Sequence, residues 1–441
     1  GSGTLRLHKK SGGIVLDMVY DDEPPWPVAA DGTGHSLVLD RPSYGEAHPS
    51  AWAPSAFKGG SPGRGEARIS SLYDNIVINE VLTHTDEPQL DAIELYNRGP
   101  GDVNLSGCFL SDDPSTNKFQ IPGGTLLPEG SFIAFDQNQL GFALSAAGET
   151  VYFVAPANTR VIEALAIEGQ ANGISIGRAP DGGPTLERLT APTLGTNNAP
   201  PLIHDVVMNE IMYNPISGDS DDEYIELHNR GLVSVDLTGW RLLDGIEFTF
   251  PPGTIIAPGG YLAVARDAAR LMSNYPTLNA TNLVGDYTGR LANDGERIAL
   301  AMPDTLLETN GPSIITNQFF IIVDEVTYSD DSRWGGWADG GGSSLELIDA
   351  RADNRRGANW ADSDETAKAS WTTIDHTDVL NLNHPVITQI DDLQLFLLGA
   401  GEALVDNVEL EFSGVNRVAN SGFESGLNGW FFQGTQRPSV I

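Results

Sequence analysis

The sequence has little cysteine, little positive charge and no long apolar run. Cys108 is its only cysteine, which excludes an intrachain disulfide and a zinc site built on paired cysteines. Lysine and arginine together number 25, against 60 aspartate and glutamate residues, and the formal net charge is -35. Because Lys and Arg supply most of the affinity for phosphate backbones, we expect no nucleic acid as a partner. The acidic excess instead indicates a solubilising surface.

The apolar residues are too dispersed for a membrane-spanning segment. No stretch approaches the roughly 18 consecutive apolar residues that a spanning helix needs. Gly1 is not followed by the basic and then apolar pattern of a secretion signal. We therefore expect no membrane span, and we expect any export signal to lie outside this sequence.

The chain contains internal copies of one module. Residues 14–55 and 322–363 align without a gap at a constant offset of 308 positions. A second alignment matches residues 76–80 with 206–210, and residues 93–99 with 225–231. The identities in the first alignment include Tyr20 with Tyr328, Trp26 with Trp334, Asp31 with Asp339, Gly34 with Gly342, Ser36 with Ser344, Leu39 with Leu347 and Trp52 with Trp360.

These alignments predict two complete modules, at residues 75–198 and 205–378, joined by a linker at 195–201. Residues 1–65 match only the rear half of a module, and residues 386–441 form a partial C-terminal segment. A half-module leaves strand edges unpaired. Either the sequence is cut from a longer chain, or residues 1–65 pair with the strands of another chain.

Alternating apolar and polar residues predict short half-buried strands separated by turns rich in Gly, Pro, Asn and Asp. The predicted strands include residues 76–82, 92–97, 132–136, 150–154, 206–213 and 298–302, with two more at 393–398 and 403–412. A single helix is predicted at residues 267–274, followed by Pro276. The expected fold class is all-β.

Several ordered phrases of the sequence resemble the lamin tail domain, most closely its bacterial copies in secreted or surface proteins. The phrases lie at residues 207–212, 222–231, 235–244, 250–254 and 258–262, and residues 76–132 carry the same series. The resemblance implies tandem immunoglobulin-like β-sandwiches with no catalytic centre of their own. The copies differ at Cys108, which stands where the other copy has Trp240; we expect both side chains in the core.

Residues 418–430 resemble the opening of a jelly-roll carbohydrate-binding module, and residues 405–410 resemble its closing strand. This second resemblance implies a partial jelly-roll-like segment at the C-terminus. It also implies that Asp406 and Glu424 lie near a structural calcium ion.

Two further groups of residues are candidate binding sites. Trp26, Trp334 and Trp337 lie in Pro- and Gly-rich loops, where aromatic rings either stack on sugars and anchor interfaces or fold back over the sandwich end. The loop that contains Asp219, Asp221 and Glu223 is the densest in carboxylates. Such a loop either binds Ca²⁺ or is a solvated surface loop, which the acidic composition favours.

No catalytic residue is predicted. Residues 173–177 match the nucleophile-elbow pattern, but their alternation is that of a strand rather than of a strand-to-helix turn. Asn79 and Glu80, like Asn209 and Glu210, are expected to end a strand and to bond the backbone of the following loop.

The sequence therefore predicts a non-enzymatic spacer and an adhesion or interaction region of a large exported bacterial protein, located outside the cell or on its surface. Expected partners are proteins or polysaccharide at the cell surface. One alternative is the accessory region of an extracellular enzyme, a hydrolase or a spore-coat-type kinase, whose catalytic domain lies outside this sequence. The other is a carbohydrate- or calcium-binding module.

Overall fold

A computed structural model describes most of the chain. The described residues are 1–66, 71–310, 313–331, 333–364, 372–377, 393, 395, 405–426 and 428–431. Within them the chain forms thirty β-strands and two short α-helices. The all-β class predicted from the alternation is confirmed.

The first fifteen strands precede residue 189. They are β1 Gly3–His8, β2 Ile14–Tyr20, β3 Leu37–Leu39, β4 Trp52–Pro54, β5 Ile76–Leu82, β6 Ala92–Asn97, β7 Val103–Asn104, β8 Phe109–Ser111, β9 Phe119–Gln120, β10 Leu126–Leu127, β11 Phe132–Asp136, β12 Gly148–Val154, β13 Val161–Glu168, β14 Ile176–Arg178 and β15 Leu186–Arg188.

The other strands follow the linker. They are β16 Val206–Met212, β17 Tyr224–Asn229, β18 Val235–Asp236, β19 Arg241–Asp244, β20 Ile246–Thr249, β21 Ile255–Ile256, β22 Tyr261–Ala265, β23 Leu283–Gly285, β24 Thr288–Gly289, β25 Arg297–Asn310, β26 Ser313–Thr327, β27 Leu345–Leu347, β28 Trp360–Asp362, β29 Glu411–Phe412 and β30 Val415–Asn416. The helices are α1 Gln137–Leu140 and α2 Ala268–Asn274.

The chain divides into two compact units. One unit comprises Gly1–His204, Gly239–Arg241 and Leu300–Asp324. The other comprises Asp205–Thr238, Leu242–Ala299 and Glu325–Ile441.

The first complete module is a sandwich of two sheets in the first unit. One sheet has the strand order β11-β6-β5-β14-β15 and the other has the order β13-β12-β8-β9. Their facing side chains form one apolar core that includes Ile78, Leu95 and Phe153, each fully buried. All seven residues of β5 are buried, although alternation predicted a half-buried strand. The difference arises because both faces of β5 are covered.

The second copy has the same plan with longer strands. Its sheets have the orders β23-β22-β17-β16-β27-β28 and β24-β20-β19-β25-β26. Strand β23 pairs in parallel with β22, whereas the central strands β16, β17 and β27 pair antiparallel. In both copies the first strand has an irregular register, between Ile78 and Glu80 in β5 and between Met208 and Glu210 in β16. The bulged residues are therefore the matched Asn79 and Asn209.

Residues 1–66 form two separate strand pairs, β1 with β2 and β3 with β4. The loop between β2 and β3 packs on the first module. Ala29 is buried there against Tyr152, Val154 and Val161, and His35 Nε2 accepts a hydrogen bond of 3.0 Å from the Val161 amide.

The predicted helix is confirmed as α2. Asp267 caps it, because its carboxylate accepts the Arg270 amide at 2.9 Å. Helix α1 was not predicted, since a single turn carries no measurable apolar period. Asp136 and Gln139 cap α1 reciprocally.

Several smaller predictions have mixed outcomes. Cys108 is fully buried in the core, as predicted, and burial raises the pKa of its thiol to about 11. Trp240 is half-buried rather than in the core, so that prediction is wrong. In the described part of residues 403–412, only Glu411–Phe412 is a strand, paired with β30. Residues 394 and 396–398 of the predicted strand at 393–398, and half of the jelly-roll-like segment at 386–441, lie outside the described residues.

Across the described ranges, the structure contains no helix with the length and apolar character of a transmembrane span.

Candidate functional site

A group of buried polar side chains lies at the bulge of β5. Glu94, on the neighbouring strand β6, accepts a hydrogen bond of 3.0 Å from Asn79 Nδ2 through Oε1. Its other oxygen accepts the amide of Gly195, which lies beyond the end of β15. Both Asn79 and Glu94 are fully buried. The carboxylate of Glu94 therefore joins the bulge to a distant part of the chain.

Glu80 is the second carboxylate of the group. Its Oε1 accepts the Ser175 hydroxyl at 2.6 Å and the Thr193 amide at 2.9 Å. Its Oε2 accepts the Thr193 hydroxyl at 3.2 Å. Glu80 thus binds both the residue that precedes β14 and the segment that follows β15.

Asp181 completes the group. One of its oxygens accepts Asn79 Nδ2 at 3.0 Å and the Asn198 amide at 3.0 Å, and the other accepts Asn197 Nδ2 at 2.8 Å. Three carboxylates consequently hold residues 193–198, which we call the strap. The strap overlaps the predicted linker. Asn79 and Glu80 bond loops far along the chain from within β5, so the expectation that they end a strand is wrong.

Burial dominates the electrostatics of this group. Burial raises the pKa of Glu94, the hydrogen bonds from Gly195 and Asn79 oppose that rise, and the nearby Glu80 and Asp181 add to it. The resulting pKa is about 7. The cause is the loss of water around a group that carries charge when ionised.

The second copy repeats part of this arrangement. Asn209 Nδ2 donates to Glu226 Oε1 at 3.2 Å, as Asn79 does to Glu94. Glu210 accepts the Ser344 hydroxyl, as Glu80 accepts that of Ser175, and it also accepts the Tyr224 hydroxyl at 2.6 Å. Burial first, and then repulsion by Glu210, raise the pKa of Glu226 to about 7. The matched residues therefore share both geometry and electrostatics.

A comparison with known protein families matches the two modules that contain these buried carboxylates. The family model described as Lamin Tail Domain matches residues 70–168 and 201–330, together more than half of the chain. The chain belongs to the lamin tail domain family. No curated protein and no solved structure matches it.

In the first lamin tail domain, a buried ion pair joins the two sheets. Arg178 on β14 donates to Glu163 on β13 at 2.5 Å, and its Nε donates to the Ile78 carbonyl at 2.8 Å. Glu163 in turn accepts the Ile78 amide at 2.6 Å. Burial raises the pKa of Glu163, and Arg178 opposes that rise. We interpret this pair as part of the sandwich rather than as a site for chemistry.

The predicted tryptophan sites lie in pairs of aromatic rings. Trp26 and Trp52 have ring centroids 6.2 Å apart, and Trp334 and Trp360 have centroids 6.0 Å apart. Trp26 is 8% exposed, whereas Trp334 is half-buried. Each pair stabilises the rear end of its module, because contact between two aromatic rings adds to the stabilisation that comes from buried area. A ligand-binding role for these rings stays a prediction.

Trp337 is half-buried beside the same end of the second domain. Its amide and that of Ala338 donate to one oxygen of Asp362 at 2.8 and 2.9 Å. This carboxylate fixes the backbone of the loop that carries the ring. Binding of a ligand by Trp337 likewise stays a prediction.

The acidic loop is tied to two arginines. Asp219 and Asp222 pair with Arg270 at 2.8 and 2.6 Å, and Asp221 pairs with Arg266 at 3.2 Å. Pairing with Arg270 lowers the pKa of Asp222.

Glu223 lies inside the domain instead of in the solvated part of the loop. It is 1% exposed and accepts the Leu291 amide at 2.9 Å and the Tyr287 hydroxyl at 3.2 Å. Burial raises its pKa. The structure therefore separates Glu223 from Asp219 and Asp221, with which it was predicted to bind calcium.

The other predicted calcium ligands lie close together. Asp406 and Glu424 are both exposed and flank Gly422: a Cβ placed there would lie 3.8 Å from Asp406 Oδ1 and 3.8 Å from Glu424 Cγ. No group of three or more His, Cys, Asp or Glu side chains suited to a metal occurs in the part of the chain that the structure describes. Calcium binding stays a prediction at both places.

Sequence reasoning missed the importance of Glu94 and Glu226. Both were aligned as matched positions, yet only the preceding Asn-Glu pairs were singled out. The available signal was a carboxylate repeated at an inward-facing position of a strand, where an isolated charge is costly. Which loop would satisfy that carboxylate depends on the fold, so the strap was not predictable.

Proposed function

We propose that this chain is a non-enzymatic spacer and interaction region of an exported bacterial protein. Lamin tail domains are immunoglobulin-like structural and interaction modules, and this chain carries them in tandem. Placement outside the cell, adhesion and the identity of the partner are parts of the proposal.

The observation that carries the spacer role is the strap. A linker rich in Gly, Asn and Pro ordinarily behaves as a flexible tether. Here Glu80, Glu94 and Asp181 accept hydrogen bonds from the strap. The next residues extend β15, with Leu189 bridged to Pro201 and the Leu202 amide donating to the Arg188 carbonyl at 2.6 Å. Fixing the linker on the first domain shortens the segment that is free to bend, which suits a spacer.

The test measures flexibility in solution by small-angle X-ray scattering on the full chain. The variant Glu80→Ala/Glu94→Ala removes two of the three carboxylates that hold the strap, and Glu247→Gln at an exposed position serves as the control. We expect the wild-type chain and the control to scatter as a particle of restricted flexibility. The double variant should show a larger maximum dimension and a flexible profile with unchanged β content by circular dichroism. A wild-type chain already as flexible as the double variant would remove the support for a spacer.

A second experiment addresses location. Antibodies against the chain, applied to intact and to lysed cells of the source bacterium, report where it is displayed. Labelling of intact cells supports a surface role. Labelling that requires lysis would contradict export.

A further inference from the structure

Within residues 1–66, strand β3 lacks a neighbouring strand that its counterparts in both complete domains have. In the first domain β14 lies between β5 and β15, and in the second β27 lies between β16 and β28. Strand β3 aligns with β27 at the offset of 308, and among the described residues it pairs only with β4. One edge of β3 is therefore without the strand that its counterparts pair with.

The hydroxyl of Ser36 indicates which kind of strand would pair with that edge. Its counterparts Ser175 and Ser344 are fully buried and donate to Glu80 and Glu210 of the adjacent strand. Ser36 is exposed and donates to no carboxylate among the described residues. Its backbone is nevertheless set as in the complete copy: the Ser36 amide donates to Ser55 Oγ at 3.0 Å, and the Ser344 amide donates to Ser363 Oγ at 3.0 Å.

The β1–β2 pair also exposes apolar side chains whose counterparts are buried. Ile14 is 55% exposed and Val15 is 50% exposed, whereas the matched Ile322 and Val323 are 6% and 7% exposed. Leu5, Leu7 and Val19 add further exposed apolar surface to the same pair. In the second domain the strand that matches β2 is β26, which belongs to a five-stranded sheet. Exposed apolar surface together with an open strand edge favours association.

We propose that residues 1–66 bind the front half of a lamin tail domain, whose Asn-Glu strand adds to the open edge of β3. By front half we mean a segment equivalent to residues 205–296. The glutamate of that strand accepts the Ser36 hydroxyl. This is recognition by β-strand addition, in which the main chain supplies affinity and side chains supply register.

The two complete domains specify the register. Glu80 lies opposite Gly177 and Glu210 lies opposite Glu346, in each case two residues after the serine. The bound glutamate therefore lies opposite Val38, and the residue that follows it lies opposite Leu37. A strand shifted by one residue would turn its apolar side chains to the wrong face.

Binding is tested with a fluorescent peptide of residues 205–213, titrated with the full 441-residue chain by anisotropy. We expect saturable binding, at least fivefold weaker to Ser36→Ala and unchanged for the exposed control Ser43→Ala. The peptide carrying Glu210→Gln should also bind at least fivefold more weakly. Equal binding of the wild-type, substituted and scrambled peptides would overturn the proposal.

A second measurement covers the case in which one strand binds too weakly to detect. Residues 205–296 are joined in front of Gly1 of the full chain, and amide hydrogen exchange is followed at Leu37–Leu39. We expect at least tenfold slower exchange than in the unextended chain, and loss of part of that protection in Ser36→Ala. Unchanged exchange in the extended chain would overturn the proposal. Both measurements are independent of the strap, so their failure leaves the spacer proposal standing.

Discussion

Glu94 is fully buried within a strand, a place where a charged side chain is costly. It is tolerated because Asn79 and Gly195 both donate hydrogen bonds to it. Removing the side chain would leave the Gly195 amide without this acceptor and would leave Asn79 Nδ2 only its bond to Asp181. The sequence retains a glutamate at both matched positions, Glu94 and Glu226.

The raised pKa of Glu94 makes the stability of the first domain depend on pH. Its folded-state pKa of about 7 exceeds the ordinary 4.5, so the folded domain holds a proton that the unfolded chain releases. This contribution is fully present below pH 4.5 and is lost as the pH rises to about 7. The shift corresponds to roughly 3 kcal/mol in the free energy of unfolding.

Glu94→Gln should remove that dependence. The free energy of unfolding of wild type and variant is measured in urea at about pH 5 and pH 7.5. Hydrogen exchange at β5 and β6 reports on this domain. We expect the wild-type free energy of unfolding, relative to the variant, to fall as the pH rises, and Glu247→Gln to match the wild type. A constant difference across this range would contradict the assignment.

At the scale of elements, the acidic loop is held by arginines that neutralise it. Arg270 extends from α2, which is capped by Asp267, and pairs with Asp222 of the loop. A calcium ion at Asp219 and Asp221 would have to compete with Arg270 and Arg266 for the same oxygens. Loop and helix therefore act as one charged unit.

Competition of this kind can be measured. If Asp219 and Asp221 bind calcium, the rise in Tm at millimolar calcium should be larger in Arg270→Ala than in the wild type, since a ligand of the folded state stabilises it. Differential scanning fluorimetry with calcium and, as control, magnesium gives the comparison. An equal rise in both proteins would place the bound calcium elsewhere, with Asp406 and Glu424 as the next positions to substitute.

Some elements of the fold were predictable from the local sequence, and others were not. Strands β5, β6 and β11 were predicted with their observed bounds, because alternation and flanking turn residues are local signals. The half-burial of Trp240, the single turn of α1 and the strap were not predictable. Each depends on which distant segment packs against it, and a periodic pattern does not contain that information.

At the scale of the whole molecule, the net charge of -35 affects stability. Carboxylates without nearby cations repel one another, and folding brings them closer together. At an ionic strength of about 0.1 M the screening length is about 10 Å, so salt removes most of the long-range repulsion.

Stability should therefore rise with salt. We expect Tm to increase by several degrees between about 10 mM and 150 mM NaCl, and equally with KCl, because screening does not depend on the identity of a monovalent cation. Thermal unfolding followed by circular dichroism measures it. A Tm that is unchanged or lower at the higher concentration would mean that attractive pairs, such as those of Arg270, outweigh the general repulsion.

The burial of Cys108 has a practical consequence for studying this molecule. The thiolate is the form of cysteine that attacks a thiol-reactive dye, and a fully buried sulfur with a pKa of about 11 offers almost none of it at neutral pH. Two cysteines introduced at exposed positions would then take up maleimide dyes while the native residue stays in place. Distances between dye pairs can thus be followed in the chain without altering its core.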